Sequence, residues 1–280
     1  MTFRSYRDLT GADRSGLLDQ VVAQRERVAR RLNRVRAVVA VMSGKGGVGK
    51  SYVTAVLAKG AADAGKRVGV LDADLKSPTC ARLLGARGPV RILEDGAQPV
   101  VGVGGIRLFS TDLLLGEGNP LAWNEPVSER FIWRGTLETG ALREFLSDVA
   151  WGDLDLLMVD LPPGADRLDD LAALVPDMRG ALAVTIPSEE SRMSVERSIR
   201  AALSAGIPLL GIVENMTGYE CEHCGRQGPL FTGTAGDQLA ATFGLPVVGR
   251  IPFRTPGNDS HQAQSPATKA LLEAFLGVAT

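Results

Sequence analysis

The stretch Gly44-Lys45-Gly46-Gly47-Val48-Gly49-Lys50-Ser51 decides the fold, because it matches the phosphate-binding pattern G-x-x-x-x-G-K-S/T at every position. An apolar run, Val35 to Met42, precedes it, and a run compatible with a helix, Lys50 to Ala64, follows it. A strand, a glycine-rich loop and a helix N-terminus together present several backbone N–H groups to one anion. The pattern therefore predicts that all eight residues bind the phosphates of a nucleotide.

Three side chains of this loop carry the predicted chemistry. Lys50 is placed to reach the β- and γ-phosphates of ATP, and Ser51 to put its hydroxyl on Mg²⁺, a hard cation that takes oxygen ligands. Lys45 cannot easily fold back onto phosphates in its own loop, but across a homodimer it could reach the partner's nucleotide. The loop thus resembles the deviant phosphate loop of the MinD, ParA and Mrp ATPases. In that group the early lysine contacts the ATP of the partner subunit, so that ATP holds the two subunits together.

Composition narrows the classes of partner. The 280 residues carry 31 basic and 32 acidic side chains, a formal net charge of −1, which provides no general attraction to nucleic acid or anionic lipid. No apolar run approaches the roughly 18 residues of a membrane span. Three cysteines, two of them in a C-x-x-C motif, suit a reducing compartment better than a disulfide framework. We therefore expect a cytoplasmic protein that binds neither membrane nor nucleic acid.

Strand-like and helix-like segments alternate after the loop. Continuous apolar strands such as Leu154 to Val159 indicate a doubly wound α/β fold, with a mainly parallel sheet covered on both faces. The Gly- and Pro-rich region from Gly85 to Pro126 predicts loops and a small hairpin. The other predicted strands are Arg67–Leu71, Ile106–Ser110, Ala181–Ile186, Pro208–Glu214 and Val247–Ile251, and the predicted helices are Leu137–Asp148, Ser191–Ala205, Ala235–Phe243 and Pro266–Thr280.

An amphipathic helix is predicted ahead of the first strand, from Leu17 to Val35. It contains six arginines between Arg25 and Arg36. Because no aromatic residues are interleaved, the cluster predicts a solvated helix face, with contact to RNA or phospholipid as the open alternative. We divide the chain into an N-terminal helical extension, residues 1–34, and a P-loop ATPase domain, residues 35–280, which carries the C-x-x-C loop at 221–224.

Polar residues follow three of the predicted strands. Asp72-Ala73-Asp74 comes after the second strand, Asp160 after the strand from Leu154, and Asn215 after the strand from Pro208. Ligands in such sheets collect at the carboxyl ends of the strands, so these side chains are expected near the phosphate loop. Two carboxylate positions suit Mg-nucleotide chemistry, because one can orient waters on the metal and the other can position the attacking water.

Several short motifs appear in the order seen in the Mrp family, which the chain resembles from about Val35 to Ile251. Members of that family are dimeric P-loop ATPases that carry or scaffold iron–sulfur clusters for delivery to apoproteins. The resemblance implies the same function here, with the cluster bound between two subunits. The matching segments are Gly44 to Ser51, Asp72-x-Asp74 with Ser77-Pro78-Thr79, Trp133-Arg134-Gly135, Trp151 to Asp155, Asp160 to Gly164, Glu214-Asn215-Met216 and Cys221 to Gly225.

The resemblance also implies a role for each matching site residue. Lys45 would act between subunits, Asp74 would position the hydrolytic water, and Asp160 would be the second carboxylate behind the metal. Asn215 would contact adenine, while Cys221 and Cys224 would hold the cluster. The chain departs from the family pattern mainly near the predicted switch loops, which bears on the hydrolysis rate more than on nucleotide binding. The departures are Tyr52, Lys76-Ser77, Thr136, Ala165-Asp166-Arg167 and the segment from Arg254 to Ser265.

The cysteine pair leaves three chemistries open. Cys221 and Cys224 offer two thiolates, whereas structural zinc and a [4Fe-4S] cluster each usually take four ligands, a number that two subunits would supply. A redox pair needs a helix right after the first cysteine, and Gly225 to Pro229 disfavours one. His223 is expected to point outward. Cys80 is isolated in sequence and is predicted to be a buried, small apolar side chain.

Two other classes of function share the predicted nucleotide site. One is a positioning ATPase like ParA or MinD, which would bind membrane or DNA in place of a cluster. The segment Pro266 to Thr280 carries one lysine and no basic face, so it lacks the usual membrane anchor. The other is a nucleotide-gated binding switch that carries structural zinc.

Overall fold

The strand that leads into the phosphate loop lies in the middle of the sheet. The computed structural model describes residues 17–115, 140–164, 166–220, 226–253 and 266–279. Within these residues, nine strands form one sheet in the order β10-β9-β8-β1-β7-β2-β6-β5, with β11 paired to β9. The strands are β1 (Val38–Ser43), β2 (Val68–Asp72), β3 (Arg91–Leu93), β4 (Gly96–Gln98), β5 (Val100–Val101), β6 (Arg107–Phe109), β7 (Leu156–Asp160), β8 (Gly180–Thr185), β9 (Leu209–Glu220), β10 (Gln227–Gly228) and β11 (Val247–Phe253).

The pairing confirms the predicted doubly wound fold. Strands β6, β2, β7, β1, β8, β9 and β11 run parallel, and only the short strands β5 and β10 pair antiparallel to this described sheet. Separately, β3 and β4 form the small hairpin predicted in the Gly- and Pro-rich region. The helices are α1 (Leu17–Leu32), α2 (Lys50–Asp63), α3 (Cys80–Leu83), α4 (Asp112–Leu115), α5 (residues 140–148), α6 (Asp166–Leu174), α7 (Glu189–Ser204), α8 (Ala235–Phe243) and α9 (Pro266–Ala279).

Burial on both faces of the sheet explains why its central strands are continuously apolar. Every residue of β1, β2, β7 and β8 is buried. Along β1, Val39 and Val41 face the first core, which α2 and α9 cover. Val38 and Ala40 face the second core, which is covered by α1, α5, α6, α7 and α8. A parallel sheet needs helices on both faces, so an alternating polar pattern would have been unstable here.

Helix α9 closes the first core against α2. Leu271 and Phe275 are buried. The side chain of Leu272 packs on Gly60 of α2. A β-carbon at Gly60 would lie 2.9 Å from this side chain, so only glycine leaves room for the contact. None of the described helices is both long enough and apolar enough to cross a lipid bilayer.

Helix α1 and the residues just after it contact the rest of the fold through both apolar and charged side chains. Val28 is fully buried in the second core. Arg31 donates from Nε to the carbonyl of Ser147 at 3.0 Å, and Arg34 forms a bidentate pair with Asp153 at 2.8 and 2.5 Å. The predicted solvated face therefore describes only part of the arginine cluster. The division at residue 34 stays a prediction.

Strand β9 differs from its prediction. The expected strand ends at Glu214, but the observed strand continues to Glu220. The extension is stabilised by neighbours that are distant in sequence: Phe253 of β11 pairs with Tyr219, and β10 pairs antiparallel with the last two residues of β9. Local periodicity carries no information about these partners, which explains the error.

Candidate functional site

The phosphate loop joins β1 to α2 and is held by α7. Gly49 caps α2 in the left-handed conformation, with φ 78° and ψ 29°, a region that favours glycine. Gly44 lies so close to α7 that a β-carbon on it would be 2.2 Å from the backbone carbon of Ser194. The Ser194 hydroxyl donates to the Gly44 carbonyl at 2.7 Å. The loop therefore has a defined position against a neighbouring helix.

Asn215 supports the loop from the side of β9. Its Nδ2 donates to the carbonyl of Val48 at 2.9 Å, and the residue is buried. A β-carbon on Gly49 would lie 2.2 Å from the same nitrogen, so glycine at this position also makes room for the amide. Asn215 thus orients the loop backbone, while its predicted contact with adenine stays a prediction.

Asp160, the last residue of β7, accepts hydrogen bonds from several side chains of α2. The Lys50 Nζ lies 2.8 Å from Asp160 Oδ2. Ser51 Oγ donates to the same oxygen at 2.5 Å, and Thr54 Oγ1 donates to Oδ1 at 2.8 Å. Lys50 and Asp160 are both buried, so this ion pair is shielded from solvent. The first turn of α2 and the end of β7 therefore form one polar centre.

The ammonium of Lys50 is only partly satisfied. It is buried and close to Asp160, yet within the described residues it makes no hydrogen bond of good geometry. A buried cation with unused donors is costly unless a ligand accepts from it. The loop thus has the donor set that a phosphate group would complete.

Asp72, at the end of β2, is the second carboxylate of this centre. Its Oδ2 accepts from the backbone N–H groups of Thr79 and Cys80 at 2.9 and 3.0 Å, and from the Ser110 hydroxyl at 3.4 Å. Burial, and then the negative charge of Asp160, raise the pKa of Asp72 to about 7. Those backbone donors and Lys50 partly oppose the shift.

Cys80 is buried in the first hydrophobic core, as predicted, and its thiol also reaches the carboxylates at the end of the sheet. Its Sγ lies 3.7 Å from Asp160 Oδ2, close enough for a weak S–H donor. Ligand atoms of Asp72, Cys80 and Asp160 all lie within 4.8 Å of one another. Burial, followed by the charges of Asp160 and Asp72, raises the pKa of the Cys80 thiol well above its usual value. We refer to Lys50, Ser51, Thr54, Asp72, Cys80 and Asp160 as the Asp160 cluster.

Asp74 and Lys45 lie outside this cluster. Asp74 is half-buried, and its Oδ1 accepts from the backbone N–H groups of Lys76 and Ser77 at 3.3 and 3.2 Å. Lys45 is also half-buried, and its side chain forms no ion pair with the described residues. The predicted catalytic roles of both residues therefore depend on groups other than the described residues of this chain.

The structure brings together most of the predicted nucleotide residues. The loop, Asp160 and Asn215 converge at one edge of the sheet, as strand order predicts. Sequence reasoning placed Asp72 near the phosphate loop but gave it no role of its own, and it missed Thr54 and Cys80 as parts of the centre. Thr54 carried a usable signal, since it lies four residues after Lys50 and so on the same face of α2. Predictions for Trp133-Arg134-Gly135, Thr136, Ala165, Cys221, His223, Cys224 and the segment 254–265 fall outside the described residues.

Three features define the P-loop NTPase class. A glycine-rich loop joins a strand of a mainly parallel sheet to a helix. The lysine and serine at the start of that helix, Lys50 and Ser51, contact Asp160, the last residue of the neighbouring strand. Solved structures of MinD share this fold. MinD of Aquifex aeolicus matches with a TM-score of 0.53 over 86% of this chain and 96% of that one, and MinD of Pyrococcus furiosus with 0.55 over 87% and 100%. Both are 20% identical in sequence, so they establish the fold alone.

The family follows from closer relatives. A family model described as ParA, NUBPL iron-transfer P-loop NTPase, matches residues 34–274. An iron-sulfur cluster carrier protein of Saccharolobus solfataricus is 36% identical over 88% of this chain and 81% of its own length. The cytosolic Fe-S cluster assembly factor NUBP2 of Homo sapiens is 40% identical over 78% and 80%. The chain therefore belongs to the ParA/NUBPL family of iron-transfer P-loop NTPases, which confirms the resemblance found in the sequence.

A solved structure agrees with this assignment. The nucleotide-binding protein of Archaeoglobus fulgidus, described in complex with ADP and with cobalt, is 35% identical. The match has a TM-score of 0.68 and covers 90% of this chain and 93% of that one.

Proposed function

We propose that this protein binds and hydrolyses ATP and carries an iron–sulfur cluster, held between two subunits of a homodimer, for delivery to apoproteins. Strand β9 carries the proposal. Asn215, on this strand, holds the phosphate loop through Val48, and the strand continues to Glu220, directly before Cys221. One extended segment therefore links the nucleotide loop to the predicted cluster ligands.

The residues present fit a Mg-nucleotide. Lys50 offers a buried, incompletely bonded ammonium, and Ser51 presents a hydroxyl at the helix N-terminus. Ser51 would hold Mg²⁺ directly, with Asp160 behind it orienting the bound waters. When bound, the metal neutralises phosphate charge and orients the leaving group. The loop glycines Gly46 and Gly47 are exposed, so the phosphates have an open approach.

Lys50, Asp74 and Lys45 have separate roles in the proposed hydrolysis. Lys50 binds the β- and γ-phosphates and stabilises charge that develops on them. Asp74 positions the attacking water: its Oδ1 is occupied by two backbone N–H groups, which leaves Oδ2 to accept from that water. Lys45 acts across the dimer, where it meets the nucleotide of the partner. Neither Lys45 nor Asp74 is held in the Asp160 cluster, so we expect slow turnover until a dimer assembles.

The cluster needs ligands from both subunits. Each chain offers Cys221 and Cys224, and a [4Fe-4S] cluster usually takes four thiolates. Clients would be apo iron–sulfur proteins, in keeping with the carrier and assembly-factor names of the relatives. The name of the human relative, a cytosolic factor, supports a cytoplasmic location. Zinc at the cysteines remains the alternative occupant.

A membrane-positioning role receives less support. In α9, Leu271 and Phe275 are buried against the rest of the fold. The apolar face of that helix is therefore used within the protein and does not provide an amphipathic anchor.

Anaerobic purification with a visible spectrum and with iron and sulfide assays tests the carrier function. We expect one [4Fe-4S] cluster per dimer in the wild type and none in Cys221→Ser/Cys224→Ser. Cys80→Ser is the matched control and should retain the cluster, because Cys80 lies in the nucleotide half of the protein. ATP affinity should persist in the double variant. Iron and sulfide retained without the cysteine pair, or a full cluster on a monomer, would disprove the bridging site, and zinc alone would favour the switch.

A further inference from the structure

One residue beside the phosphate loop has an unusual backbone conformation. Met216, which follows Asn215 in β9, has φ 56°, and within the described residues it is the one residue other than glycine with a positive φ. This left-handed conformation is unfavourable for a residue with a side chain, because the β-carbon comes too close to the following carbonyl oxygen. Such conformations persist only where the surrounding structure enforces them, and they are frequent at functional sites. The contacts of Met216 therefore indicate what the conformation achieves.

The conformation brings two consecutive side chains to the same glycine. In a regular strand, successive side chains point to opposite faces of the sheet. Here a β-carbon on Gly49 would lie 2.2 Å from Asn215 Nδ2 and 3.6 Å from Met216 Cε, so both side chains lie beside the last glycine of the phosphate loop. Asn215 donates to the carbonyl of Val48, and Met216 is half-buried against the first core. The strand therefore contacts the loop through both a hydrogen bond and an apolar side chain.

The pairing of β9 with β11 is irregular at the same place. Asn215 pairs with Ile251, and Tyr219 pairs with Phe253. Between these two pairs β9 advances by four residues and β11 by two, so β9 contains two extra residues as a bulge. Bulges bend the strand and re-aim the residues that follow them. The bulge thus sets the direction of the last residues of β9, which lead directly into Cys221.

We propose that Met216 is a positioning residue that links the phosphate loop to the cysteine pair, Cys221 and Cys224. The proposal rests on the nucleotide and cysteine sites of the proposed function. A nucleotide that orders the loop gives Asn215 and Met216 a fixed surface to pack on, and the end of β9 is fixed with them. The chain that continues from β9 then has less freedom, so both thiols react more slowly when Mg-nucleotide is bound. Such a coupling requires that the nucleotide favour one arrangement of β9 over another.

Alkylation of the thiols tests this link in the full chain, reduced and freed of bound metal. Iodoacetamide labelling, measured at each cysteine by mass spectrometry, is compared with and without saturating Mg-ADP, which has no γ-phosphate to hydrolyse. In the wild type, Mg-ADP should lower the labelling rates of Cys221 and Cys224 about 5-fold or more, the lower end of typical couplings between sites. The buried Cys80 should be labelled slowly in both states, which shows that the protein stays folded.

Substitutions at position 216 separate the side-chain contact from the backbone. Met216→Ala and Met216→Gly remove the contact with Gly49 and should show equal labelling rates with and without Mg-ADP. Met216→Gly is also free of backbone strain, which guards against misfolding. Met216→Leu keeps a similar apolar volume and should retain most of the protection. Met193→Ala, at an exposed position on α7, is the matched control and should behave as the wild type does.

Calorimetry establishes that each variant is saturated with Mg-ADP during labelling. Protection that survives in both Met216→Ala and Met216→Gly, or that is absent from a wild type that binds Mg-ADP, would overturn the proposal. Loss of protection in Met216→Leu as well would have the same consequence. Iron and sulfide content is measured separately and decides only the carrier function. A protein without a cluster that still shows protection dependent on Met216 would disprove the carrier function and leave the link in place.

Discussion

Two carboxylates at the edge of the sheet, Asp160 and Asp74, differ in their burial and in the groups that donate hydrogen bonds to them. Asp160 is buried and accepts from Ser51 and Thr54 beside the Lys50 ammonium. Asp74 is half-buried and accepts only from the backbone of its own turn among the described residues. The contrast shows that the side chains around Asp160 are positioned within one chain, and it agrees with the proposal that Asp74 acts only once the nucleotide and a second subunit are bound.

The largest expected effect tests the phosphate-binding residues around Asp160. Lys50→Ala should abolish measurable ATP binding, because each charged hydrogen bond to phosphate contributes roughly 1.5–3 kcal/mol and the ammonium makes several. Isothermal calorimetry measures the affinity directly. Lys59→Ala, on the same helix but outside the cluster, is the matched control and should bind as the wild type does. Unchanged affinity in Lys50→Ala would show that the loop is not the phosphate site.

The second prediction concerns pH and the buried pair. The pKa of Asp72 is about 7 in the folded protein and near 3.8 in the unfolded chain, so the native state favours the protonated acid. Its contribution to stability is full below pH 4 and is lost as pH rises towards 7. Asp72→Asn cannot ionise, so its free energy of unfolding relative to the wild type should increase between pH 4 and pH 8, by an amount on the order of a few kcal/mol.

Urea unfolding at both pH values, in the presence of a chelator, measures this change. The comparison between variants is needed because other carboxylates of the protein titrate in the same range. If the difference in unfolding free energy between Asp72→Asn and the wild type stays constant with pH, Asp72 does not share its environment with Asp160 as described.

The third prediction tests the catalytic role proposed for Asp74. Asp74→Asn should keep Mg-ATP affinity but lose roughly 10²-fold in turnover, the range typical of groups that position or activate water. Steady-state phosphate release and calorimetry separate the two quantities. Asp177→Asn, an exposed carboxylate between α6 and β8, serves as the control. Loss of binding together with turnover would make Asp74 part of the metal shell and erase its contrast with Asp160.

Sequence reasoning found the residues that a local pattern specifies. The phosphate loop was complete in eight consecutive positions, and Asp160 followed a strand that was apolar throughout. It did not find the neighbours that only the tertiary structure supplies. Cys80 was isolated in the sequence, and its thiol meets Asp160 only because the fold brings the start of α3 close to the end of β7. The last part of β9 likewise depends on pairing with β11, which comes much later in the chain.

The smallest expected effect sharpens the description of Asp160. Thr54→Val removes the hydroxyl that donates to Asp160 Oδ1 and leaves a buried acceptor without that donor. The cost should be about 1–3 kcal/mol in unfolding free energy, with a similar loss in Mg-ATP affinity. Thr54→Ser keeps the hydroxyl and should restore most of both. Equal behaviour of the two variants would show that packing, rather than the hydrogen bond, explains the role of Thr54.

The contact between α9 and α2 has a consequence for biosynthesis. Leu272 fills the space left by Gly60, and Gly60 belongs to the helix whose first turn forms the phosphate site. These two residues lie near opposite ends of the described chain, so a growing polypeptide presents the Walker lysine long before its helix has a covered face. Ribosome-bound chains that end before Pro266 would expose this apolar surface to water and to chaperones. The face of α2 that packs on α9 is therefore covered only after a segment far downstream in the sequence has been synthesised.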